Sequence, residues 1–383
     1  MGAEAVETRH RRIIAAWLFA VAAMVFAMIV WGGITRLTIS GLSMVEWRPL
    51  TGWLPPLTTA EWEVAFEKYK QFPEFRELNF DMTLAEFKQI YWIEYLHRLL
   101  GRIIGVVFLL PALFFLAKGW LDRPMLRHAV ILFVLGGLQG VLGWYMVKSG
   151  LVDIPDVSPY RLTAHLALAF VIYGYLVWLG LRLWWPAPSV AEAANRPPGF
   201  RRRWLGRYAF ALVFLVFLTA ISGGFVAGNN AGFAYNTFPL MDGRWIPEDL
   251  YGLEPPIRSA FEEVATVQFH HRVLAMVVFL AVAAFWAVSV TLRLTPRQRL
   301  VVHALVAMMV IQVALGISTL LMIVPIYLAA PHQAGAVLLF TFALWMAYEL
   351  RSGEEVGAAS VRGSDEAFED AVGVGGAAAQ RSH

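Results

Sequence analysis

Glu94, His97, Arg98 and Arg102 fall together in the stretch IEYLHRLLGRIIG, at the start of a segment that is otherwise apolar. A carboxylate can hold or accept a proton, an imidazole can ligate a metal, and a guanidinium can bind an anion. Ionisable groups at membrane depth are costly unless they are paired, solvated or bound to something, so this cluster needs a reason.

The cluster has a copy. VQFHHRVLA, further along the chain, repeats the histidine and arginine as His271 and Arg272 but places Gln268 where the first has Glu94. Of nine histidines, four occupy repeat-equivalent positions: His97 with His271, and His165 in LTAHLALAF with His332 in AAPHQAGAV. Two imidazoles on different helices suit a metal held between them, and heme with axial histidines from two transmembrane helices is the commonest such arrangement. Gly101 and Gly105 follow His97 at four-residue intervals on one face. Their missing side chains admit either a flat ring or a neighbouring helix, and both readings stand. Arg98 and Arg272 suit heme propionates, or they snorkel and pair locally, as Glu94 and Arg98 can at i,i+4. His10, His128, His303 and His383 lie near the opposite helix ends or in the tail, and His270 points about 100° away from His271 on a helix. The asymmetry is at Glu94: a glutamine hydrogen-bonds but cannot exchange a proton, so the first copy carries chemistry and the second a permanent cofactor.

The elements that must position these residues are membrane helices. The chain is 58% hydrophobic and 15% charged over 383 residues, with a mean hydropathy of +0.59, too apolar for an ordinary soluble domain. It has no cysteine, which excludes disulfides, thiolate metal sites and cysteine nucleophiles. The net charge of +3 comes from arginines beside the spans and points to topology, not to nucleic acid. Runs long enough to cross a bilayer occur at about 12–35, 93–117, 126–147, 161–184, 205–227, 268–292, 299–324 and 329–350. The first is read as a retained span and not a signal peptide, because its apolar run is long and no small-residue cleavage site follows. Basic clusters at 9–12, 118–127, 182–207 and 293–299 fall in alternate loops, so both termini are expected in the cytoplasm. The long connections 36–92 and 228–267 then face outward as ordered caps, and the Gly/Ala/Ser-rich tail is expected to be disordered.

The repeat covers both halves. WGGITRLTISGLSMVEWRPLTGWLP after the first span matches SGGFVAGNNAGFAYNTFPLMDGRWIP after the fifth. Capping boxes, Thr83-x-x-Glu86 and Ser259-x-x-Glu262, are expected to start the second and sixth spans outside the membrane. The expected fold is an all-α polytopic protein of eight transmembrane helices, arranged as two four-helix bundles about a pseudo-twofold axis along the membrane normal. Its parts are a cytoplasmic N-terminus (1–11), an N-terminal half (12–184), a cytoplasmic linker (185–204), a C-terminal half (205–350) and the tail (351–383).

EYLHR, its degenerate copy QFHHR, the two later histidines, the eight spans and GGITRLTISGLS together resemble the heme A synthase family over about 12–350. The resemblance implies an oxidoreductase that converts the C8 methyl of heme O to a formyl group through hydroxylated intermediates, supplying cytochrome oxidase. It implies heme b as cofactor in the C-terminal half, with His271 and His332 as axial ligands and Arg272 beside them. It implies substrate heme O in the N-terminal half, near His97, His165 and Arg98, with Glu94 as the essential acid. It implies a bacterial inner membrane with the heme ligands on the periplasmic side. The partners it suggests are lipid, heme O synthase, terminal oxidase subunits or assembly factors, and a second copy of the chain. Some bacterial members carry a cysteine pair in an outer loop; its absence places this chain with the proteobacterial and mitochondrial branch.

Two other classes compete. A diheme b-type cytochrome explains four histidines but not a carboxylate in one half alone. A transporter would share the repeat, yet transporters set their sites near the bilayer centre, whereas these histidines cluster toward one side.

Overall fold

The computed structural model describes residues 3–47, 51–151, 155–186 and 200–351. Among these residues eleven α-helices run in order: α1 (Ala3–Leu37), α2 (Thr59–Tyr69), α3 (Pro73–Glu77), α4 (Leu84–Ala117), α5 (Arg123–Ser149), α6 (Pro159–Trp184), α7 (Phe200–Gly228), α8 (Ser259–Glu262), α9 (Val264–Ser289), α10 (Pro296–Leu321) and α11 (Ile326–Arg351). Eight of them (α1, α4, α5, α6, α7, α9, α10 and α11) are long and apolar enough to cross a bilayer, and they are the eight expected spans. The chain is a multi-pass membrane protein. The tail and most of the linker lie outside the described residues.

Boundaries follow local chemistry. α4 starts nine residues before the apolar run, at Leu84, because Thr83 and Glu86 form the expected reciprocal capping box. The matching box at Ser259 does not form. Ser259 Oγ instead accepts from Leu253 N–H at 3.0 Å, and Glu262 is drawn to Arg258 at 2.6 Å and to the Tyr160 hydroxyl at 2.8 Å. The helix consequently breaks at Glu263 in extended backbone and restarts as α9. α10 stops at Leu321 rather than 324, since Ile323 and Val324 adopt positive φ of 62° and 54°. The halves repeat even in backbone: Ile39 and Asn230, seven residues after Gly32 and Gly223, are both left-handed at φ 51° and 53°. Asparagine tolerates that region; a β-branched residue there is strained.

Packing sorts the spans. α1 contacts α4, α4 contacts α5, α5 contacts α6, and α6 returns to α1; α7, α9, α10 and α11 contact one another in the same cyclic order. The two sets meet through α6 with α11, α1 with α11, and α6 with α7. At the α6–α11 seam, Gly174 lets the Phe340 ring approach to within 3.0 Å of where a Cβ would be, and Tyr173 and Thr341 hydroxyls bond at 2.7 Å. Phe170 packs edge-on to Phe340 at 5.4 Å between ring centres. This continuous apolar core runs from Leu18 and Val21 to Phe285, Leu305 and Met346.

The first long connection is an ordered cap, as expected. Trp62, Phe66 and Tyr69 of α2 bury themselves against Phe87, Tyr91 and Tyr95 on the extension of α4. Phe87 stacks on both Phe66 and Tyr69, with ring centres 5.0 and 5.2 Å apart. The α4 extension thus carries one helix from the cap into the membrane, with His97 on it.

Candidate functional site

Each of the four repeat-equivalent histidines brings its Cε1 edge against a glycine of a neighbouring helix. A Cβ added to Gly32 on α1 would stand 3.1 Å from His97 Cε1, and one on Gly143 of α5 would stand 3.0 Å from His165 Cε1. In the second half, Gly223 of α7 and Gly316 of α10 would place theirs 3.2 Å from His271 Cε1 and 2.8 Å from His332 Cε1. The imidazoles therefore occupy the space that any larger residue would fill. By contrast Gly105 meets nothing within 4 Å, and Gly101 meets only the end of Met28 at 3.4 Å. No helix packs closely on Gly105, so the helix-packing reading of that glycine fails.

The histidines pair within halves. His97 lies in electrostatic range of His165, and His271 in range of His332. On the helix preceding each later histidine, a glutamine amide donates to its backbone carbonyl: Gln139 to His165 at 3.0 Å, Gln312 to His332 at 2.9 Å. Gln139 Nε2 also stands 3.3 Å from His165 Nε2. The Nδ1 atoms of His97, His165 and His332 are buried without a partner, whereas His271 Nδ1 lies 2.8 Å from Ser222 Oγ. Adjoining His332, Gln333 donates to the Ile29 carbonyl of α1 at 2.9 Å and fills the notch left by Gly33. That bond ties a second-half ligand helix to the first half.

Glu94 and Arg98 secure the first long connection over the start of α4. Glu94, 2% exposed, pairs with Arg98 and accepts from Ser43 Oγ and Met44 N–H, each at 2.7 Å. Arg98 then donates to the carbonyls of Met44 at 2.8 Å and Glu46 at 3.1 Å. The second half uses the same positions with the opposite polarity. Gln268 Nε2 donates to the carbonyls of Ala231, at 2.7 Å, and Ala234, while its Oε1 accepts from Arg272 at 2.9 Å. Arg272 donates to the carbonyls of Tyr235 at 2.5 Å and Thr237 at 2.9 Å, leaving its Nε buried without a partner. One loop presents an N–H and a hydroxyl and takes a carboxylate; the other presents carbonyls and takes an amide. The Glu/Gln difference is thus matched to loop chemistry as well as to charge.

A second buried carboxyl lies nearby in the cap. Glu74 of α3 is 1% exposed and accepts from the Tyr69 hydroxyl at 2.7 Å, which in turn accepts from Asn79 at 2.7 Å. Burial pushes the Glu74 carboxyl up to about 7, against the lowering effect of the Tyr69 bond. Three histidines outside the repeat have ordinary partners: His10 stacks on Trp120 at 3.9 Å, His128 bonds Tyr175 at 2.6 Å, and His270 bonds Tyr251 at 2.7 Å.

The site residues read from the sequence are therefore placed as two imidazole pairs under two loop anchors. The four backing glycines, the two glutamines and Ser222 escaped that reading, although LQGVLG and IQVALG already aligned Gln139 with Gln312 and Gly143 with Gly316. Among the described residues, no three His, Asp or Glu side chains converge to hold a bare ion. Imidazoles two to each half, packed against glycines and, at His97, His165 and His332, with Nδ1 buried without a partner, fit a planar group that brings its own equatorial ligands to the metal. His97 with His165, and His271 with His332, would hold two such groups.

Comparison with known proteins shows the family. A heme A synthase of Nitrosospira multiformis is 52% identical over 338 residues, covering 88% of this chain and 93% of that protein. The heme A synthase COX15 of Bos taurus is 47% identical over 89% of this chain and 82% of its own length, and that of Homo sapiens 46% over 89% and 83%. The family model for cytochrome oxidase assembly proteins, COX15-CtaA, matches residues 15–344, from the first span to the last and including all four paired histidines. The chain belongs to the COX15-CtaA family of cytochrome oxidase assembly proteins.

Proposed function

We propose that this chain is a heme A synthase, an oxidoreductase that converts the C8 methyl of heme O to a formyl group. The observation that carries the reading is the repeated pair of imidazoles, each laid on a glycine of the adjacent helix. The close relatives bearing that name support it. His97 and His165 would hold the substrate in the first half, and His271 and His332 would hold heme b in the second. When bound, heme b supplies a one-electron redox centre inside the apolar bundle.

The protein's own groups prepare the first site. Glu94 brings a carboxylate where the second half has a neutral amide, and Ser43 and Met44 fix its orientation. Oxidation of a methyl to an aldehyde with water as the oxygen source releases protons and electrons, the electrons passing to an acceptor outside the chain, and the Glu94 carboxylate would accept one of those protons. Arg98 serves the substrate site by holding residues 44–46 over it, and Arg272 keeps Nε for an anionic edge of the cofactor. The cyclic contacts of each helix set support two four-helix bundles related by a pseudo-twofold axis. Arg9, Arg11, Arg12, Lys118, Arg123, Arg127, Arg182, Arg293, Arg297 and Arg299 border one set of helix ends, which supports cytoplasmic termini and ligands on the periplasmic side of a bacterial inner membrane. Oxidase subunits, assembly factors and heme O synthase are the partners such a product requires.

Hemes extracted from cells supplied with heme O test the proposal. Wild type is expected to yield heme A; Glu94→Gln is expected to yield none while retaining heme b, which reports that the variant is folded. Heme A at the wild-type level from Glu94→Gln would remove Glu94 from the chemistry. No heme A from the wild type would favour a diheme cytochrome.

A further inference from the structure

The two halves treat their ligand histidines differently in one respect that the repeat exposes. His271 Nδ1 lies 2.8 Å from Ser222 Oγ, and Ser222 donates its own hydroxyl hydrogen to the Thr219 carbonyl at 2.7 Å. A hydroxyl has one hydrogen, so with that hydrogen on Thr219 the oxygen faces Nδ1 as an acceptor. The proton of the neutral ring then sits on Nδ1, and Nε2 keeps its lone pair for a metal. Gly223, next in sequence, lies against the Cε1 edge of the same ring.

The first half has lost this device. Counting from the paired glycines Gly32 and Gly223, Trp31 stands in place of Ser222. The Trp31 indole N–H is directed to the Ile93 carbonyl at 2.9 Å, and an indole offers no acceptor to a histidine. His97 Nδ1 is accordingly buried without a partner. Its companion His165 has Nε2 facing the Gln139 amide at 3.3 Å, a contact that a metal bound through that nitrogen must displace.

We infer that Ser222 is a positioning residue that fixes the tautomer and orientation of His271, making the second half a retaining heme site while the first half, which lacks it, releases its heme. An imidazole that donates from Nδ1 is a more basic ligand through Nε2, binds more tightly and favours the ferric state. A permanent cofactor needs that grip. A substrate that must leave as product needs its absence. The inference rests on the proposed placement of heme b at His271 and His332.

The test uses purified full-length protein, read by heme transfer to an excess of apo-globin and by redox titration of the retained heme. Ser222→Ala is expected to speed heme loss from the second half by about 10- to 100-fold and to move its midpoint potential upward. Ser222→Thr, which keeps the hydroxyl, is expected to restore both. Wild-type loss rate and potential in Ser222→Ala would overturn the inference, as would a faster loss that Ser222→Thr does not correct, since that marks a packing defect. If His271→Ala holds heme b as firmly as wild type, the placement of heme b is wrong and the inference falls with it; a normal His271→Ala loss with a silent Ser222→Ala rejects the inference alone.

Discussion

At the scale of single residues, the histidines depend on what is missing beside them. Gly32, Gly143, Gly223 and Gly316 each yield the volume that an imidazole occupies, so the smallest enlargement is informative. A methyl at Gly316 would meet His332 Cε1 at 2.8 Å, closer than ordinary contact allows, and the ring must turn or the helices part. Gly316→Ala is therefore expected to lower the heme b content of purified protein, whereas Gly143→Ala is expected to leave it unchanged and lower heme A yield. Quantifying extracted hemes from both variants checks this; equal loss of heme b from each would show that the sites are not independent. The sequence displayed the histidines because all four recur at repeat-equivalent positions, His97 and His271 each with a following arginine. It hid the glycines, because a glycine in a membrane helix has many uses and only the facing side chain shows which applies. Glu94 was visible as an asymmetry, but its hydrogen bonds to Ser43 and Met44 depend on a loop whose path no local pattern specifies.

At the scale of elements, the caps and helix starts decide how the ligands are presented. Thr83 and Glu86 were legible as a capping box, and they give α4 its rigid extension under the α2–α3 cap. Ser259 and Glu262 matched the same pattern and failed, because the Leu253 N–H took the serine hydroxyl while neighbouring Arg258 and the long-range partner Tyr160 took the carboxylate. Short motifs describe local preference, and tertiary contacts outbid them here. Glu74 gives the cap a pH dependence. Its carboxyl is raised by burial to about 7 in the fold from an ordinary 4.5, so the folded cap binds the proton more tightly than the unfolded chain. The resulting stabilisation is complete below about 4.5 and is lost as pH rises through about 7. Melting of the detergent-solubilised protein at pH 5.5 and pH 8 should show wild type losing ground to Glu74→Gln at the higher pH. An unchanged difference between the two proteins would place Glu74 in contact with water.

At the scale of the whole molecule, eight spans and a duplicated plan were readable from hydropathy and from the repeat, since the bilayer imposes helix length and duplication imposes order. The contacts that join the halves were not readable. Gly174 against Phe340, Tyr173 with Thr341, and Gln333 reaching the Ile29 carbonyl are pairings between sequence-distant apolar helices that look alike along their length. Those contacts join the two halves and their histidines through one core, and the account requires both halves to hold heme. The most direct measurement is the reduced-minus-oxidised spectrum of purified protein with analysis of its extracted hemes, in wild type and in His271→Ala. Wild type should show a low-spin b-type signal and yield heme b, and His271→Ala should lose both; a colourless wild type, or an unchanged spectrum in His271→Ala, would contradict the account.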